Sequence, residues 1–416
     1  MNAEEWLSAL DPIGWRFGLE RITALLAELG DPQHEFDSVH VVGTNGKSSV
    51  TVMTAALVEA SGRTTGCFLS PHSERWSQRI RVRGREIDTG TFAAAADRVA
   101  AAIPAAERTF AEGERITQFE AATAVAFVAL ADAGIEVGVI EAGLGGRLDA
   151  TNVLRSRATV LTSIGLDHTA WLGETELEIA AEKLAVLRED SALVLGAVSE
   201  PVAELARRTA AERRCRVVQP ADLPEGVRLE APYLRRNLGV ALAAADVVNG
   251  PIQRATLDAA LGSLELAGRF QVIPGNPPFV LDAAHNLDGA RALAEALAER
   301  LEGQPVVACM AILADKDAAG IVGALAPALT AAVCTEIPVA RLEGSGRPGT
   351  SAVPAAELVR LCEAASVPAT AHTDPAGAVA LAGAMARERG GVTLIAGSHY
   401  LLGYGWTARP AQSSCR

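Results

Sequence analysis

An apolar run, Val39, Val41 and Val42, leads straight into Gly43-Thr44-Asn45-Gly46-Lys47-Ser48-Ser49, and a helix-forming segment follows. A strand, a glycine turn and a helix that opens on a lysine together make a phosphate cradle. Glycines let the backbone approach an anion, the N–H groups and the helix dipole face it, and Lys47 adds a point charge. The common P-loop places four residues between its glycines. Only two separate Gly43 from Gly46, so this is a nucleotide loop of a particular kind.

The rest of the chain supplies the sheet that such a loop needs. Residues 16–29 have the spacing of an amphipathic helix that stops before Gly30-Asp31-Pro32. Residues 49–60 read as helix, 64–70 and 79–84 as strands, and about 91–102 and 117–133 as Ala-rich helices. The runs 137–143 and 158–165 are buried-strand candidates, 174–188 reads as helix, and SALVLGA returns to strand. After about residue 266 the pattern restarts. GNPP (275–278) signals a turn or linker, and PFVLDAAHN, PVVACMAI, TAAVCTEI and VTLIAGS supply further strands with helices between. This alternation predicts an α/β chain: a doubly wound, mostly parallel-sheet P-loop ATPase domain over 1–274, and a smaller Rossmann-like α/β domain over 275–416.

Bulk properties limit the function classes. At 416 residues the chain exceeds one ordinary core. A net charge of −13 argues against nucleic acid as the main partner, though a local basic cluster can still take an anion. The six cysteines are scattered, with no CxxC or Cys/His cluster to suggest zinc or a disulfide framework. The acidic start MNAEEWLSALDPIGW does not read as a signal peptide, and no apolar run reaches membrane-spanning length. The expectation is a cytoplasmic protein.

Ligands of an open α/β sheet collect at the carboxyl ends of its strands. Glu141 closes VGVI, Ser70 follows GCFL, and His168 follows TSIGLD. Each has an ordinary alternative, since strand-end acids often cap helices and single histidines are often structural. Their joint arrival beside a phosphate loop favours chemistry.

Several segments occur in one order along nearly the whole chain: FGLERI, GTNGK, SPHSERWSQRIRV, TQFEAAT, EAGLGGRLDATN, TSIGLDHTAWLG with a lysine-bearing helix after it, AGRFQV, LDAAHNLDGA, LADKD and IAGSHYLLG. Together they resemble the folylpolyglutamate synthase / dihydrofolate synthase family of the Mur ligase superfamily. The resemblance implies an ATP-dependent ligase that phosphorylates a substrate carboxylate and lets the amino group of glutamate attack the acyl phosphate. The carboxylate would belong to a folate or to dihydropteroate.

That resemblance assigns roles residue by residue. Gly43, Thr44, Asn45, Gly46, Lys47, Ser48 and Ser49 would hold ATP phosphates, with a Ser48 or Ser49 hydroxyl on a first magnesium. Ser70, Glu141 and His168 match ligands of another magnesium, and potassium is a further candidate cation. Lys183 matches a lysine carried as a carbamate; its ordinary alternative is a solvated helix lysine. Arg269 would reach phosphates, Asp282 the ribose, Asn237 the adenine, and His285 the phosphates or glutamate, with Asn286 beside it. Thr117, Phe119 and Glu120 fall where the folate substrate would lie, although periodicity alone makes Phe119 core. Expected partners are small molecules only, with no nucleic acid or membrane, and the resemblance implies a monomer.

Three positions depart from the family pattern. Ser48 stands where Gly is common, Leu234 where Gln is common, and EKLAVL replaces EKAGIL. The competing readings are a Mur-type ligase with another carboxylate, a non-catalytic ATP-binding paralogue, and a phosphotransferase. A Mur-type ligase would carry its loop roughly a hundred residues in, after an extra domain. A paralogue would have shed its metal ligands.

Overall fold

The computed structural model describes residues 2–10, 18–72, 74–344 and 349–407. Arg16 and Phe17 of the first expected helix, Ser73 of SPHSERW, and Cys415 lie outside the described residues. The chain forms two compact units. One comprises Met1–Val227 and Leu234–Leu264, the other Arg228–Tyr233 and Glu265–Arg416.

The first unit is built on eight strands: β1 (Asp37–Val42), β2 (Thr65–Phe68), β3 (Ile80–Val82), β4 (Arg85–Glu86), β5 (Val137–Glu141), β6 (Ala158–Leu161), β7 (Ala192–Leu195) and β8 (Arg216–Val218), in the order β4-β3-β2-β5-β1-β6-β7-β8. Pairing is parallel from β2 to β8, while β3 and β4 add an antiparallel edge. β5, β6 and β7 are buried throughout, which explains their unbroken apolar runs. Helix Gln118–Asp132 is likewise buried on nearly every side, so its sequence carries little amphipathic signal.

Register explains why distant segments meet. β1 lies between β5 and β6, with Val41 opposite Glu141 and Val42 opposite Leu161. β2 pairs with β5 as far as Phe68 opposite Ile140. The loop after β1, Glu141, the 162–168 segment and Ser70 therefore leave the sheet at one edge and nearly one level. That edge is where the sheet's carboxyl ends gather ligands.

The second unit has six strands: β9 (Gln271–Ile273), β10 (Phe279–Leu281), β11 (Val306–Met310), β12 (Ala331–Cys334), β13 (Ala369–Ala371) and β14 (Val392–Ala396), in the order β13-β12-β11-β14-β10-β9. All pair in parallel except β9, which runs antiparallel to β10. GNPP is thus a hairpin turn, not a linker. The expected 274/275 boundary falls inside that hairpin, because β9 needs β10 to satisfy its backbone, and the second unit takes up the chain at Glu265. Leu281, Val307, Cys309, Val333, Ile395 and Tyr400 belong to its core. No helix among the described residues is long and apolar enough to cross a membrane.

Candidate active site

The phosphate loop is fixed by contacts a bulkier sequence would not allow. Gly43 has φ 151°, and a Cβ there would sit 1.9 Å from Thr162 Oγ1. Gly46 has φ 84° and lies against Asn237, whose Oδ1 would be 2.8 Å from an added Cβ. The segment after β6 braces the loop. Thr44 N donates to Ser163 O at 2.8 Å, Asn45 N to Ser163 Oγ at 3.0 Å, and Thr162 Oγ1 to Asn45 O at 2.6 Å. Lys47 opens helix Lys47–Ala60, and its ammonium donates to Gly43 O and Thr44 O, both at 3.1 Å. The charge is thus held over the loop at the positive end of the helix, an arrangement that selects an anion.

Glu141 is 1% exposed and is the junction of the site. Its Oε1 accepts from Ser48 Oγ at 3.1 Å and its Oε2 from Ser70 N at 3.2 Å. Three sequence-predicted residues from three elements therefore converge. Ser49 is buried, and its hydroxyl has no hydrogen-bond partner among the described residues. His168 has φ 51° at the start of helix Thr169–Leu172, and its Nε2 lies 3.9 Å from Asp167 Oδ1.

Lys183 is not a solvated helix lysine. It is 4% exposed near the end of helix Glu176–Leu184 and is roofed by the glycine loop after β5. A Cβ on Gly146 would meet Glu182 O at 2.7 Å and Lys183 Cα at 2.9 Å, and Arg147 N donates to Glu182 O at 3.1 Å. Burial first, and then the Lys47 charge, lower its pKa to about 7, while Asp167, Asp149 and Glu182 pull it upward. Lys47, Asp167 and Lys183 therefore share one electrostatic environment.

The glycine loop is held by residues that the sequence reading did not single out. Asp149 accepts from Leu144 N at 2.8 Å and from Thr151 Oγ1 at 2.5 Å; burial raises its pKa. The Thr151 hydroxyl also meets His40 Nε2, on β1, at 2.8 Å. Burial lowers the His40 pKa to about 3, so the ring is neutral; the Thr151 hydroxyl donates to Asp149, leaving His40 Nε2–H to donate to the hydroxyl oxygen. Asp149 and Thr151 stand in DATN with the spacing of an Asx turn, the one local signal for this network.

Thr117 and Glu120 cap helix Gln118–Asp132 reciprocally, and Glu120 also makes a buried ion pair with Arg21 at 3.0 Å. Phe119, between them, stacks on Phe68 at 6.2 Å, and its ring reaches under Gly143, where an added Cβ would be 2.5 Å away.

In the second unit Asp282 is buried. It accepts from Tyr233 Oη at 2.5 Å, Phe270 N at 2.8 Å and Ala284 N at 2.8 Å, with Arg269 acting on it electrostatically. Burial nevertheless raises its pKa. Tyr233 immediately precedes Leu234 and was not anticipated as its partner. His285 Nδ1 lies 2.9 Å from Ala283 O and donates to it. Asn286 caps helix Leu287–Arg300 through Gly289 N at 2.8 Å.

No three His, Cys, Asp or Glu side chains form a metal cage among the described residues. The donors at the loop are instead hydroxyls and one buried carboxylate. That set suits a hard divalent cation shared with phosphate oxygens, and not a thiophilic metal.

Residues 268–399 match the model of the Mur ligase glutamate ligase domain. The chain is 34% identical over 359 residues to the dihydrofolate synthase/folylpolyglutamate synthase of Mycobacterium tuberculosis, covering 76% of this chain and 74% of that protein. It superposes with a TM-score of 0.85 and 25% identity on E. coli FolC in complex with DHPP and ADP, over 98% and 97% of the two chains. The bifunctional folylpolyglutamate synthase/dihydrofolate synthase of Yersinia pestis, complexed with AMPPNP and Mn ion, gives a TM-score of 0.82 and 27% identity, over 98% of each chain.

Proposed function

The chain belongs to the dihydrofolate synthase/folylpolyglutamate synthase family, and we propose that the constellation around Glu141 runs its ATP-dependent joining of L-glutamate to a folate or to dihydropteroate. The observation that carries the residue assignment is the meeting of Ser48, Ser70 and Glu141 at the helix that Lys47 opens.

In this reading the amides of Gly43–Gly46 and the Lys47 ammonium hold the β- and γ-phosphates. A substrate carboxylate oxygen attacks the γ-phosphorus, the bond to ADP breaks, and an acyl phosphate forms. The glutamate nitrogen then attacks the acyl carbon, phosphate leaves, and the nitrogen sheds a proton. Such chemistry depends on alignment and charge neutralisation more than on covalent help from the protein. A magnesium ion on Ser48, Ser70, Glu141 and His168 would offset charge on the transferring phosphoryl group.

Lys183 fits the carbamate role on its own chemistry. A pKa near 7 leaves a substantial fraction of neutral amine at cellular pH. The lone pair can add to carbon dioxide, giving an N–C bond, a carboxylate and one released proton. The product replaces repulsion from Lys47 with attraction. Asn237 and Asp282 are our candidates for the adenosine, Arg269 for the phosphates, His285 and Asn286 for glutamate, and Thr117–Glu120 for the folate side.

The test is a ligation assay with ATP, magnesium and glutamate, offering dihydropteroate and a reduced folate in parallel. Phosphate release matched by amide product supports the proposal. Nucleotide binding with neither product would favour a non-catalytic paralogue.

A further inference from the structure

Helix Ala3–Ala9 makes polar contacts that the ligation chemistry leaves unexplained. The Glu4 carboxylate accepts from Trp76 N at 2.6 Å and from Ser77 N at 3.2 Å. Ser8 Oγ accepts from Trp76 Nε1 at 3.2 Å. Leu7 O accepts from Gln118 Nε2 at 3.1 Å, while its side chain is fully buried in the core. One short helix thus grips two separate segments, the turn Trp76–Arg79 and the start of helix Gln118–Asp132.

Both segments lead to Phe119. Gln118 is its chain neighbour. From the other side, the Trp76 ring lies 4.4 Å from His72 and 4.3 Å from the Arg79 guanidinium. Arg79 Nε donates to His72 Nδ1 at 2.8 Å, and the same guanidinium stands 6.0 Å from the Phe119 ring. Arg79 is 6% exposed and His72 5%, so this stack is desolvated and each ring's position depends on the next. The Glu4 carboxylate anchors its outer end at the two N–H groups that open the turn, where a negative charge is favoured.

We infer that Glu4 is a positioning residue for the pterin end of the carboxylate substrate. Through Trp76 and Arg79 it fixes the face of Phe119, while the helix backbone at Leu7 fixes the residue before it. Helix Ala3–Ala9 is then a specificity element that acts on one substrate and leaves the nucleotide alone, since none of these contacts involves the phosphate loop. The inference rests on the reading of Phe119 as lying along the folate substrate.

Calorimetric affinities for dihydropteroate, with ADP present, and for ATP test it without requiring turnover. Losing two charge-assisted hydrogen bonds in Glu4→Ala should weaken pterin binding roughly three- to tenfold. Glu4→Gln, which keeps one acceptor oxygen, should recover part of the loss, and ATP affinity should stay within about twofold in both. With Phe119→Ala the effects should combine to less than their product, because both act on one surface. Unchanged pterin affinity in Glu4→Ala, equal losses for pterin and ATP, or fully multiplicative effects would overturn the inference. A silent Phe119→Ala would overturn the placement of Phe119 and this inference with it. Loss of pterin affinity in Glu4→Ala from a protein that ligates nothing would count against the proposed function alone.

Discussion

At Lys183, burial and the nearby Lys47 bring the pKa from 10.5 to about 7. Between those values the unfolded chain binds more protons than the folded one, so this residue's contribution to stability improves as pH rises, and the cost of burying an ammonium is complete below about 7. The same shift sets reactivity. At fixed carbon dioxide, wild-type activity should climb as pH is raised through about 7 and should fall when bicarbonate is stripped from the buffer. Lys183→Ala should lose on the order of a hundredfold in kcat and respond to neither change, and Lys183→Arg should not rescue it. Glu141→Gln tests a different element of the site. The amide can still accept from Ser48 or Ser70, so thermal stability should hold while kcat falls on the order of a hundredfold or more. Retention of full activity in Glu141→Gln would remove the metal role.

Elements carry these residues to one place, and glycines decide how closely. An added Cβ on Gly146 would meet backbone atoms of residues 182 and 183, which cannot swing aside as a side-chain end can. Gly146→Ala should therefore cost about 1–3 kcal/mol in a denaturant titration and reduce kcat through Lys183, while Gly262→Ala, with open space around it, should do neither. His40 gives the link between β1 and the 149–151 turn a pH signature. Its pKa drops from 6.5 to about 3, so its contribution to stability is present above about 6.5 and lost as pH falls toward 3, at up to about 1.4 kcal/mol per pH unit. His40→Gln should flatten that part of the acid-unfolding curve. Much of this architecture was legible beforehand. β1, the glycine loop and helix Lys47–Ala60 announced themselves because their signals are local: an apolar run, two glycines and a lysine. GNPP read as either a turn or a linker because such a stretch looks alike whether it joins domains or closes a hairpin; only the pairing of β9 with β10 decides for the turn. The Asp149–Thr151–His40 chain was illegible because its last bond spans 111 residues of sequence, and the Glu4–Trp76 grip spans 72. Thr117 and Asn286 both cap helices in the structure.

For the whole molecule, the two units divide the sequence motifs between them, with Lys47, Ser70, Glu141, His168 and Lys183 on the first and Arg269, Asp282, His285 and Asn286 on the second. Binding of ATP with magnesium should raise the apparent melting temperature in proportion to the logarithm of ligand concentration, and Lys47→Ala should abolish most of that rise. The central claim concerns what the γ-phosphate meets: a carboxylate, and not a hydroxyl or water. Heavy-oxygen labelling of the substrate carboxylate reads this directly. The account predicts that one labelled oxygen appears in inorganic phosphate for each amide formed, with none left over in ADP. Amide formation with unlabelled phosphate, or phosphate release with no transfer of label, would contradict it.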